Sequence, residues 1–126
     1  MGDVFTNISL TNPGRSDLKP VEVRALVDTG AGWLCIPEHV CLQLDLQNGD
    51  HREVAMADGS KSIVPYVGPI KVAFENRSCY VGALVLGDEV LLGAIPLEDM
   101  DLVISPLRGT VTVNPDSPNI PHGRVK

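Results

Sequence analysis

Glycine and proline punctuate this chain at short intervals. There are 12 Gly and 10 Pro in 126 residues, scattered rather than clustered. Such punctuation leaves room for many turns between short strands and little room for long helices. The length fits one domain. Aromatic residues make up only 4%, so the core must come from Val, Leu, Ile and Ala.

A pass along the chain fills in this outline. Val4 to Leu10 predicts a strand, followed by turn chemistry at Asn12-Pro13-Gly14. Val21 to Val27 begins with alternation and ends fully apolar, as a strand entering a core would. Leu34-Cys35-Ile36 is apolar again, and Pro37 suits the start of a short helix reaching Leu44. Asn48-Gly49 marks a turn. Glu53 to Ala57 and Lys61 to Val64 flank Asp58-Gly59, a strong hairpin signal. Strands follow at Tyr66 to Phe74, Tyr80 to Leu86 and Val90 to Gly93, with a turn at Asn76-Arg77. A second short helix spans Pro96 to Met100. Leu102 to Ile104 and Thr110 to Val113 close the domain. From Pro115 the chain is polar and Pro-rich, and residues 115–126 are expected to form a flexible tail beyond a 1–114 domain. The sum is an all-β chain, a small closed barrel with one or two short helices. A strand, a Gly-containing turn and a Pro-started helix occur twice, at Leu26 to His39 and at Leu91 to Glu98. Two such units predict pseudo-symmetry.

Composition excludes several classes of function. Net charge is −6 with no basic block, which argues against a nucleic-acid partner. Cys35, Cys41 and Cys79 have no metal spacing and are expected as free thiols. His39, His51 and His122 lie far apart, so no metal or other cofactor is expected. No apolar run approaches the roughly 18–20 residues of a membrane helix. No signal peptide is visible either, and the expected compartment is the cytoplasm.

Asp28 is the residue with chemical promise. It ends an apolar strand, so burial should raise its pKa, while donors from Thr29 and Gly30 should lower it. Such a carboxylate is a candidate acid or base. On the residues alone, the commoner role of such a strand-end Asp is to accept hydrogen bonds in an Asx-turn.

Leu26-Val27-Asp28-Thr29-Gly30-Ala31 resembles the active-site signature of aspartic proteases: two apolar residues, Asp-Thr-Gly, then a small residue. About sixty residues on, Leu91-Leu92-Gly93 opens a short helix, as in the second half of that family's pattern. The Asp58-Gly59 hairpin lies between them, where the family has its flap. The resemblance covers residues 4 to 114. It is nearest to the single-domain retroviral-type enzymes and their bacterial relatives.

That resemblance implies a barrel of the acid-protease type, one lobe per chain. It implies Asp28, Thr29 and Gly30 as catalytic residues. Ala31, Trp33 and Leu91 would line the substrate cleft, and Asp58, Gly59 and Ser60 would form the flap tip. One Asp-Thr-Gly in 126 residues leaves the second carboxyl to another chain. The implied partners are a second copy, paired about a twofold axis, and a peptide or protein substrate. No membrane partner is implied. Viral relatives carry an acidic group after the motif and an Arg after the second Gly, which brace the dimer and grip substrate backbone. Gly32, Trp33 and Ala94 stand at the corresponding places here. The alternative reading is a catalytically silent domain of the same fold that binds extended peptides.

Overall fold

The computed structural model describes residues 2–125. It contains nine strands and two short helices: β1 Val4–Thr11, β2 Val21–Val27, β3 Leu34–Ile36, α1 Glu38–Gln43, β4 Asn48–Ala55, β5 Lys61–Phe74, β6 Arg77–Val85, β7 Val90–Leu92, α2 Ala94–Asp99, β8 Leu102–Ser105 and β9 Thr110–Val113. Seven strands form one sheet in the order β1-β2-β7-β3-β6-β5-β4. A further pairing of β1 with β5 closes six of them into a barrel and leaves β4 outside. The β2–β7 and β3–β6 pairs are parallel, and the others are antiparallel. β8 and β9 form a separate two-stranded sheet.

Alternation along the strands explains the fully apolar runs. Leu34, Ala83 and Leu92 point into the main core. Their chain neighbours Cys35, Leu84 and Leu91 point the other way, into a second apolar cluster. Strands buried on both faces need no polar side. The second cluster also holds Val54 and Val64 from the β4–β5 hairpin, with Trp33 and Met56 packed against it.

The two repeated units lie side by side. β2 runs parallel to β7, with Val27 opposite Leu92, and β3 runs antiparallel to β7, with Cys35 opposite Leu91. The Asp28 loop therefore meets the Gly93 turn.

Four boundaries differ from expectation. Asn48-Gly49 begins β4 rather than forming a turn; the reversal falls earlier, where Asp45 takes a positive φ of 52°. The segments 61–64 and 66–74 are one long strand, broken only by a register shift between Val67 and Ile70. Helix α2 starts at Ala94, two residues before Pro96. Arg77 is buried at the start of β6, not exposed in a turn.

The stretch expected to be loose is tied back to the domain through residue 122. The Asn76 Nδ2 donates to Pro118 O at 2.9 Å, and Arg77 donates to Ser117 O. Asp101 gathers the rest. Its carboxylate accepts from the Ser117 hydroxyl, from the His122 amide at 2.9 Å and from Asn114 Nδ2 at 3.1 Å. Polar tail residues find buried or strained partners here, which sequence spacing does not reveal. Lys126 lies outside the described residues, as does Met1.

These bonds, the Ser117 hydroxyl first, lower the Asp101 pKa from 3.8 to about 2. A depressed carboxylate pKa gives stability that is present above the unfolded value and lost as pH falls towards the folded one. The melting-temperature gap between wild type and Asp101→Asn should thus be full above pH 4 and shrink between pH 4 and 2. A gap that stays constant over that window would refute the role of the charge.

Candidate active site

The site begins where β2 ends. The Asp28 amide donates to Leu92 O at 3.1 Å, which fixes the residue against β7. Ala31 N returns to Asp28 O at 3.2 Å, closing a tight turn. Gly30 N donates to Asp28 Oδ1 at 2.9 Å, which orients the carboxylate.

Helix α2 holds the far side of the loop. The first N–H groups of a helix lack partners within it. Here Ala94 N donates to Ala31 O at 2.8 Å and Ile95 N to Gly32 O at 2.9 Å. Gly93 makes this approach possible. A Cβ at that position would lie 2.3 Å from Trp33 O and 2.7 Å from Ala31 O. These two backbone bonds brace the loop against α2.

Asp28 opens onto a groove of about 550 Å³. From the loop, Gly30, Ala31 and Trp33 line it, and Leu91 lines it from β7. Of the expected site residues, these five, Asp28 included, share one cavity. Thr29 is exposed beside them and does not line it. Asp28 itself is exposed in the single chain, contrary to the burial expected from the apolar strand before it. The strand ends at the barrel rim, so its last residue leaves the core. Asp28 is the sole ionisable carboxylate among the described residues that line the groove.

The β4–β5 hairpin overhangs this groove. Its tip is closed by Met56 N to Ser60 O at 2.7 Å. Asp58 Oδ1 accepts from Ser60 N at 2.9 Å and from Ser60 Oγ at 2.6 Å, and these bonds hold its pKa below the usual value. Asp58, Gly59 and Ser60 sit at the exposed tip, outside the groove lining. The arm below them contributes Val54 and Met56 instead. Leu84 and Leu86 of the β6 end complete the wall, with Cys35. Gly32, Ala55 and Ala57 line the groove too. Sequence reasoning missed all eight, and the 84/86 spacing was the available signal.

All three cysteines are unpaired and buried, and burial pushes their thiols up; Cys79 reaches about 12. Among the described residues, no group of three or more His, Cys, Asp and Glu side chains could hold a metal. No helix among them is long and apolar enough to cross a membrane.

Comparison with known proteins finds likeness in structure alone. No protein-family model matches the chain, and no curated protein matches it in sequence. Among solved structures, it is similar to a retropepsin-like aspartic protease from Rickettsia conorii. The TM-score is 0.56 at 20% identity, over 82% of this chain and 77% of that one. A simian foamy virus (mac) protease is similar at a TM-score of 0.47 and 18% identity, over 73% of this chain and 91% of that one. The chain has the retropepsin-like fold.

Proposed function

We propose that the chain is one half of an aspartic endopeptidase, active as a homodimer. The observation that carries this reading is the setting of Asp28. Its carboxylate is oriented by Gly30 N and opens onto an apolar groove whose lining supplies no second carboxylate. Peptide hydrolysis without a metal needs a base to activate water and an acid to protonate the leaving nitrogen. One carboxyl cannot serve as both at once. A twofold pair would set Asp28 against the partner's Asp28, and two carboxyls in contact share one proton. The ionised member takes a proton from the attacking water. The protonated member polarises the scissile carbonyl, and the proton then passes to the departing amine.

The exposure of Asp28 supports this arrangement, because a second copy has room to approach it. The β4–β5 hairpin would serve as the flap, closing over an extended peptide and excluding water. Thr29, at the exposed edge of the loop, would bond across to the facing loop. The β8–β9 sheet offers unpaired strand edges to a partner.

Chain dilution tests the reading. Cleavage of an apolar peptide mixture per unit of chain should rise with chain concentration and then level off, following dimer formation. Cleavage strictly proportional to concentration in a chain that stays monomeric would overturn the shared site.

A further inference from the structure

Trp33 lines both the Asp28 groove and a separate cleft of about 270 Å³. Tyr66, Tyr80, Ile95 and Asp99 share that second cleft. Three of the five aromatic residues of the chain therefore meet at one small place. Packing does not demand it, since Tyr80 is 61% and Ile95 47% exposed. Gly82 makes room for it: a Cβ there would lie 2.1 Å from the Tyr66 hydroxyl oxygen.

The chemistry of the cleft is that of a cation site. Aromatic faces attract ammonium and guanidinium groups, and an unpaired carboxylate adds charge. One ring already shows the preference, with the Arg52 guanidinium 4.1 Å above Tyr66. Among the described residues, neither Trp33 nor Tyr80 carries a stacked cation, and Asp99 has no salt bridge. The Asp99 charge adds to burial in raising the Cys79 thiol, so its field is felt nearby. Ile95 offers an apolar wall for a methylene stem.

We propose that this cleft is a subsite for a basic side chain, lysine or arginine, of the peptide whose backbone lies in the Asp28 groove. The inference rests on the reading of that groove as a peptide site. Trp33 joins the two cavities, so an occupant of one borders the other. A lysine at one fixed distance from the residue over Asp28 would reach between Trp33 and Tyr80, with its ammonium at Asp99.

The lone tryptophan provides a direct probe. Eight-residue peptides of Ala and Leu, with one Lys walked through the sequence, are titrated at low ionic strength while Trp33 fluorescence is read. Norleucine peptides are the matched controls, and cleavage of each is followed in parallel. At one register Lys should lower the half-saturation concentration about fivefold against norleucine. Asp99→Asn should erase that advantage and leave norleucine binding unchanged. Equal binding of the two series, or a Lys advantage that survives Asp99→Asn, overturns the subsite. Cleavage without Lys preference overturns the subsite alone and spares the peptidase. Lys-dependent binding without cleavage upholds the subsite and removes the peptidase. Neither binding nor cleavage overturns both.

Discussion

Asp28→Asn should leave the fold intact and remove peptide cleavage by about 10³-fold or more, the scale of a lost acid–base group. The reason is local. Among the described residues the Asp28 side chain makes one hydrogen bond, from Gly30 N, and an Asn oxygen can accept it equally well. Asn cannot take a proton from water or hold one for the leaving amine. Circular dichroism and melting temperature should match wild type while turnover disappears. Mixing adds a second readout. Excess Asp28→Asn chain should inhibit wild type by forming pairs with one carboxyl, whereas a one-chain site would be indifferent. A variant that cleaves as fast as wild type would end the proposal.

The sequence carried the positions of most elements and the link from Asp28 to Leu91 and Trp33. It could do so because the elements are short and punctuated, and the apolar runs mark strands covered on both faces. What it left hidden depends on closure of the barrel. Leu34-Cys35-Ile36 is buried throughout, but only the pairing with β6 and β7 decides that Cys35 faces the groove. Met56 and Leu86 are ordinary apolar residues until the fold brings both into the groove lining. Asp28 follows an apolar strand, yet the strand stops at the rim and exposes it. Asp101 finds its hydrogen-bond partners far along the chain. Its partner Ser117 lies sixteen residues on, beyond the reach of any local pattern. Trp33, which the resemblance implies for the substrate cleft, lines a second cavity as well.

The second large effect should come from Gly93→Ala, a change of one methyl group. The new Cβ would sit 2.3 Å from Trp33 O, 2.7 Å from Ala31 O and 3.0 Å from the Gly32 carbonyl carbon. All three are backbone atoms, so no side chain can swing aside. Relief requires the Asp28 loop to move away from α2. That movement breaks Ala94 N to Ala31 O and Ile95 N to Gly32 O, the bonds that fix the loop. Overpacking of this kind costs about 1–3 kcal/mol, and each lost bond adds about 1 kcal/mol. Gly93→Ala should therefore lose about 3–5 kcal/mol in urea unfolding, and any folded fraction should show a displaced Asp28 and reduced cleavage. Gly32→Ala is the control on the same loop. Nothing lies within 4 Å of a Cβ at Gly32, so it should unfold within about 1 kcal/mol of wild type. If the two variants unfold at the same urea concentration, the loop is not clamped by α2. The position of the Asp28 loop would then need another cause.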